Sequence, residues 1–500
     1  MKTIAEFLVE NKRRDAVSFH MPGHKGRSDI FERAGYGEFL RGMISEDITE
    51  IPGADALYCP ETTIKAVMDN YAELYGVKHT ELLVNGSSAG VMAAVLACVP
   101  RGGKLILGRN SHHSAFSALR LGGIKPVYVA PEINGFGLQA EISPETLKKA
   151  CRENPDASAV LITSPNYYGA LSDIGELADI SHDRGMLLIV DQAHGAHLKF
   201  FDDAADAMKR DGEYVRRARH AAENLGADIV INSTHKTLLS FTGSGILNIC
   251  SDDVSEDAVA DYLRMLQTTS PSYLLMGSLD LNEKIMRDHG PELIDAWKEN
   301  IVRFCRRAGR IPGLTLVKGS AVYDGSAGTD DDFAMYREKE GVDMTKLNIS
   351  MSGCGVSGDR LDAELRHRGI ISELVHGDYV LLLSGIGNTS EDYDKLLEAL
   401  KSISEDYGYS RDEETAPVSG REFVLEMAEV PAEAETIPLY EADGRVIYDP
   451  VIIYPPGSPV ICPGEVMNME VIGYIAGALN RGEKVAGVDE EGLVKVGIEF

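Results

Sequence analysis

Nowhere in its 500 residues does this sequence hold an apolar run approaching the roughly 20 residues needed to cross a bilayer. The opening stretch, MKTIAEFLVENKRRD, is amphipathic and charged, and it lacks the apolar core and cleavage site of a signal peptide. Seven cysteines form no CxxC pair and no secreted-scaffold spacing, which argues against a zinc site or a disulfide framework and reads as mostly buried thiols. Internal repeats and low-complexity tracts are missing as well. Basic charge is scarce: 49 Lys and Arg against 78 Asp and Glu leave a net charge of −29, which opposes nucleic-acid binding. Such an acidic surface either concentrates a cationic ligand or serves solubility alone. These absences point to a cytoplasmic protein with neither membrane nor nucleic-acid partners.

A hydrophobic share of 44% with 25% charged residues is globular, and the length suggests two or three domains. Between about 62 and 250, helical periodicity (TTIKAVMDNYAELYG) alternates with short β-branched runs: KLILG, KPVYVA, ASAVLITS, MLLIVD and ADIVIN. This alternation predicts an α/β domain with a mostly parallel sheet. GSGILNIC follows ADIVIN too closely for a crossover helix and is expected as an antiparallel neighbour. After 300 the texture shifts to a smaller α+β domain, with a helix over ELIDAWKENIVRFCRRAG and strands LTLVKG, TKLNISMS and DYVLLLSG around a helix GDRLDAELRHRG. A charged linker is expected at 404–420, with a further carboxyl-terminal α+β domain beyond it. The divisions drawn are 1–60 as an arm, 61–300 as the large domain, 301–410 as the small domain and 411–500 as the last.

In parallel sheets, loops leaving the carboxyl ends of strands line the ligand crevice. Three stretches fall there: SPNYYG, DQAHGAH and STHK. Asp191 ends an apolar strand, where it either faces a cation or caps the following turn. Lys236 is a reactive amine or a surface lysine. At 82–99, LLVNGSSAGVMAAVLACV runs from a strand through Ser87 and Ser88 into a small-residue helix, an anion cradle or an ordinary N-cap. It lacks the lysine of a Walker loop. An amine, a strand-tip acid and a phosphate cup together are what pyridoxal phosphate requires, which makes that cofactor a hypothesis. His20 and His24 lack the carboxylate or thiol that would complete a metal set, so no metal is expected.

Several longer motifs carry a resemblance: SFHMPGHKG, DITEIPGADALYCPE, VNGSSAG, RNSHHS, DQAHGAH, STHKTL, QTTSPSYLLMGSLD and YPPGSPVICPGE, in this order. They closely resemble the Orn/Lys/Arg decarboxylase family, pyridoxal-phosphate enzymes of the aspartate-aminotransferase fold (fold type I). The chain looks like the shorter bacterial form without the amino-terminal wing domain. The resemblance implies a lyase of polyamine biosynthesis that converts arginine, lysine or ornithine to agmatine, cadaverine or putrescine and carbon dioxide.

Carried over by position, it makes Lys236 the Schiff-base lysine and Asp191 the partner of the pyridine nitrogen. Ser87, Ser88, Ala89, Ser233 and His235 match cofactor-binding positions, and His112 matches the histidine that stacks on the ring. Ser270 would reach the phosphate from a second subunit, which implies a homodimer or larger homo-oligomer. Glu465 resembles an acid near the mouth that faces a cationic substrate tail, or is a solvated turn glutamate. The chain departs from the family at His113, where a Lys is common, and at His194, where longer members have Trp. His194 is placed beside cofactor and substrate, as a proton carrier for which Lys236 is the rival, or as a packing replacement. An aminotransferase or aldolase on the same fold is the alternative reaction, with Arg360, Arg366 and Arg368 available as a carboxylate clamp. A non-catalytic binding protein would not need both Lys236 and Asp191.

Overall fold

The β-branched runs form the centre of the molecule. The computed structural model describes residues 16–206, 209–210, 213–214, 220–318, 321–323, 342–409, 423, 425–454 and 459–498. Seven runs make one sheet: β1 (His79–Leu83), β2 (Lys104–Gly108), β3 (Lys125–Val129), β4 (Ala159–Thr163), β5 (Leu187–Asp191), β6 (Ile229–Asn232) and β7 (Gly245–Ile249). They lie side by side in the order β1-β7-β6-β5-β4-β2-β3. Neighbours from β6 to β3 run parallel, whereas β7 is antiparallel to both β1 and β6, as the short connection after Lys236 predicts. Helices cover both faces, so the central strands are apolar throughout and buried. Pro126 is tolerated in β3 because that strand is at the edge.

A second sheet is antiparallel: β8 (Thr315–Lys318), β9 (Ala321–Tyr323), β10 (Lys346–Ser350), β11 (Leu374–His376) and β12 (Tyr379–Leu383), in the order β9-β8-β10-β12-β11. The helix expected to begin at 292 is part of a continuous 36-residue helix, Tyr273–Ala308, which crosses position 300. Ser272 caps it, and Pro291 sits inside it without ending it, because burial of Ile285, Met286, Ile294 and Trp297 on either side of the proline outweighs one lost backbone bond. It packs against both Thr63–Tyr75 and Ser390–Tyr407, joining the two sheet units. The expected linker starts later than position 404: the capping box of Thr389 and Asp392 launches a helix that runs through Tyr407. The rest of that stretch, 410–420, lies outside the described residues, as does the amino-terminal 1–15.

The carboxyl-terminal unit pairs Ala434–Pro438 with Leu493–Gly497 and packs helix Met469–Asn480 on a core of Ile447, Val451, Ile461, Val471, Ile475 and Val496. Arg120–Asp449 at 3.0 Å and the Tyr128 hydroxyl donating to the Pro463 carbonyl at 2.7 Å fasten it to the large sheet.

Candidate active site

Strand register decides what meets at the carboxyl edge of the large sheet. Asp191, the last residue of β5, pairs in register with Thr163 on one side and Ile231 on the other. It is 5% exposed, and its carboxylate accepts the Ala193 N–H at 3.1 Å. Burial pushes its pKa up, opposed by the charge of Lys236 and that N–H. An acid so placed awaits a cation.

After β6 the chain passes through Ser233 into one helical turn, Thr234–Thr237, which carries Lys236. Its Nζ stands 2.9 Å from Nε2 of His194. Burial lowers the pKa of this amine, while Asp191 and Glu373 oppose the shift. His194 is 7% exposed, and burial, then the Lys236 and Lys346 charges, hold its imidazole far below the ordinary range. Burial thus favours the neutral ring. Nε2 shares a hydrogen bond with the Lys236 amine, and Nδ1 is a buried atom without a hydrogen-bond partner among the described residues.

The stretch expected as an anion cradle lies where β1 turns into helix Gly86–Cys98. The Asn85 side chain makes no cap, and the N–H groups of Ser87 and Ser88 in the first turn have no intrahelical acceptor. Ser233 closes the cup from β6, its hydroxyl donating to Ser87 Oγ at 2.8 Å. His235 gives Nδ1–H to the Ser244 carbonyl at 2.6 Å, and burial brings its pKa down to about 4. His112 caps helix His113–Gly122 by accepting from the Ser114 N–H at 3.3 Å. Its ring is exposed and lies 4.3 Å from that of His113, yet the surrounding protein, then His113 and Lys236, lower its pKa. Beside it, Asn110 Oδ1 and Ser111 Oγ are buried without partners among the described residues.

Two expected residues stand apart. Ser270 is exposed, with its N–H on Thr268 Oγ1 at 3.2 Å, and makes no recorded hydrogen bond to the serine cup of its own chain. Glu465 is not a solvated turn glutamate. It is 3% exposed, its carboxylate taken by Arg109 and by the Cys462 N–H at 2.7 Å, and in its own chain it ties the carboxyl-terminal unit to the loop that carries His112.

Other residues enter the site without having been singled out in the sequence. Tyr167, within SPNYYG, lays its ring 4.6 Å from that of His194 and donates its hydroxyl to Glu373 Oε1 at 2.8 Å. The Met21 N–H donates to the other oxygen of Glu373 at 3.1 Å, bringing the arm into the same corner. Gly23 allows this approach: a Cβ there would stand 2.4 Å from the Leu238 carbonyl oxygen, just past Lys236. His20 and His24 spend Nδ1 on nearby backbone.

Family models cover most of the chain. Residues 3–392 match "Orn/Lys/Arg decarboxylase, major domain" and residues 422–494 match "Orn/Lys/Arg decarboxylase, C-terminal domain". The arginine decarboxylase of Bacillus subtilis (strain 168) is 33% identical over 97% of this chain and 95% of its own. Among solved structures, the constitutive lysine decarboxylase of E. coli aligns with a TM-score of 0.71 at 19% identity, over 99% of this chain and 81% of its own. The L-threonine transaldolase of Pseudomonas fluorescens aligns at 0.56 and 15% identity, over 81% and 87%, so the fold by itself leaves the reaction open.

Proposed function

The chain belongs to the Orn/Lys/Arg decarboxylase family, and from that membership we propose that it decarboxylates arginine, lysine or ornithine to the corresponding amine, with pyridoxal 5'-phosphate as cofactor. The single observation that carries this reading is the Lys236 amine held 2.9 Å from the buried His194 ring, within the field of a buried, cation-seeking Asp191.

The residues present fit the cofactor. Ser87, Ser88, Ala89 and Ser233 would hold its phosphate with hydroxyls and helix N-terminal N–H groups, and Asp191 would hold its ring nitrogen protonated, regaining the charge that burial disfavours. When bound, pyridoxal phosphate supplies an aldehyde that captures amines and a cationic ring that accepts the electron pair released as carbon dioxide leaves. His112 would pack on the ring from the mouth.

Lys236 is suited to attack because burial enlarges its neutral, nucleophilic fraction. His194 orients that amine through the hydrogen bond between them. Burial depresses the pKa of His194 and makes it the poorer proton carrier, so Lys236 Nζ is the group proposed to deliver a proton to the substrate α-carbon. The carboxylate of Glu373 adds negative potential on the substrate side, and the net charge of −29 draws a cationic amino acid in.

A transaminase would need an arginine clamp in the small sheet unit. Arg366 pairs with Asp362, Arg360 with Glu364 and Tyr407, and Arg368 with Glu364 and Asp406, so all three are engaged with their own helix or with Ser390–Tyr407. The exposed Ser270 suits completion of the phosphate cup by a second copy, which makes a cytoplasmic homodimer the smallest functional unit of this reading. Incubation with arginine, lysine and ornithine separately, with cofactor added, is expected to release carbon dioxide and an amine from at least one. Keto acid without carbon dioxide would reject the proposal, and tight binding without turnover would make the chain a binding protein.

A further inference from the structure

Behind the Lys236–His194 contact lies an ion pair that the reaction as described does not use. Lys346 opens β10, and Asp343 lies three residues before it in the preceding turn; the two are 1% and 2% exposed and touch, Nζ to Oδ2, at 2.5 Å. Burying two charges costs several kcal/mol per ion, and an apolar pair of similar volume generally folds as well or better. Stability alone is a weak reason for it to be there.

Where the remaining bonds go supplies a better one. Lys346 Nζ donates to the carbonyl oxygen of His194 at 2.6 Å and to Thr345 Oγ1 at 3.1 Å, which uses its three protons. Asp343 Oδ1 accepts from Thr345 N–H at 2.9 Å, from the Thr345 hydroxyl at 2.7 Å and from His197 Nε2 at 3.0 Å. The pair therefore grips both ends of one turn of the large sheet unit, the carbonyl of His194 and the ring of His197. Within that turn, a Cβ on Gly195 would stand 2.5 Å from Pro165 Cδ, so the backbone has no slack on its far side. The His194 ring is met separately by Tyr167, which Glu373 holds.

We propose that Asp343 and Lys346 are positioning residues: from the second sheet they fix the backbone of residues 194–197 and thereby keep the His194 ring against the Lys236 amine. The inference rests on the decarboxylase reading only for what the positioned groups go on to do. Its test is a double-mutant cycle on the full-length enzyme. Asp343→Leu with Lys346→Met removes both charges together and spares the fold an orphaned ion. That change is expected to lower kcat by about 10- to 100-fold at nearly constant KM, the scale of a misplaced reacting group.

In a His194→Ala background the same change is expected to cost less than about twofold, because the interaction it served is already gone. Amide hydrogen exchange at 193–197 in the full chain freed of cofactor is expected to quicken. Equal losses in both backgrounds, or unchanged kcat and exchange, would overturn the proposal. Should the paired variant fail to fold, His197→Phe keeps the ring packing on Phe201 and Trp297 and deletes only the bond to Asp343. Run through the same cycle, it is expected to give a smaller loss of the same pattern, and no loss would count against the pair. If the unaltered chain released carbon dioxide from none of the three amino acids, the decarboxylase reading would fall, while the exchange measurement would still decide whether the pair holds the turn.

Discussion

Asp191 and Glu465 are both buried acids with a cation in the neighbourhood, yet the crevice and the carboxyl-terminal junction treat them in opposite ways. Glu465 has a direct ion pair with Arg109 and a backbone N–H besides, whereas Asp191 has one N–H and only the more distant field of Lys236. The same contrast extends to their surroundings. Around the crevice, His194 Nδ1, Asn110 Oδ1, Ser111 Oγ and Thr237 Oγ1 are buried without partners among the described residues. At the junction, Arg109, Arg120, Lys125 and Tyr128 each reach an acceptor across it. The completed groups of the junction mark where two parts of the chain are fastened.

Breaking each acid separately sharpens that contrast. The largest effect is expected from Asp191→Asn: kcat falls by about a thousandfold, as when an electrostatic stabiliser of the reacting centre is removed. Thermal stability should not drop with it, since the amide deletes a charge that burial opposes. Steady-state kinetics and calorimetry on one preparation check both halves, and a variant that loses stability instead would erase the difference between the two acids.

Next in size is Glu465→Gln, which leaves Arg109 buried and unmatched. Denaturant unfolding should show a loss of about 3 kcal/mol, the scale of a broken buried pair. No measurable loss would mean that the junction is not fastened there.

The smallest effect is a pH dependence of the crevice itself. Burial depresses the folded-state pKa of His194 and of His197 below the ordinary 6.5. Protonation then favours the unfolded chain, so their contribution is complete above the unfolded value and declines as pH falls below it. Thermal melts at pH 7.5 and 5.5 should show a fall on acidification that His194→Gln reduces by about 1–2 °C. An unaltered slope would place the acid sensitivity elsewhere.

Much of the crevice was readable from local pattern. Strand runs with period and composition set by burial, a lysine one turn beyond β6, an acid at the tip of β5 and a return strand too close for a crossover are all features of short stretches of consecutive residues. The assignments to Ser87, Ser88, Ala89, Ser233 and His235 came from family resemblance, because a hydroxyl beside a helix start reads equally well as a cap. What pattern missed was long-range. Lys346 meets His194 across 152 positions, Tyr167 meets Glu373 across 206, and Arg109 meets Glu465 across 356. The helix through Pro291 escaped for a related reason: proline ends helices by local rule, and packing on both sheet units overrode it.

By itself, then, the amino-acid sequence determined the strands, their parallel character, the antiparallel return and the two titratable residues at adjacent strand tips, since alternation and strand-end placement are properties of neighbouring residues. Only the tertiary structure decided that His194 is desolvated beside Lys236, that Glu465 is clamped and that a lysine of the second sheet bonds to the turn carrying His194. Charge state and hydrogen-bond partnership depend on what is desolvated and what lies within about 3 Å, and that is set when distant segments pack.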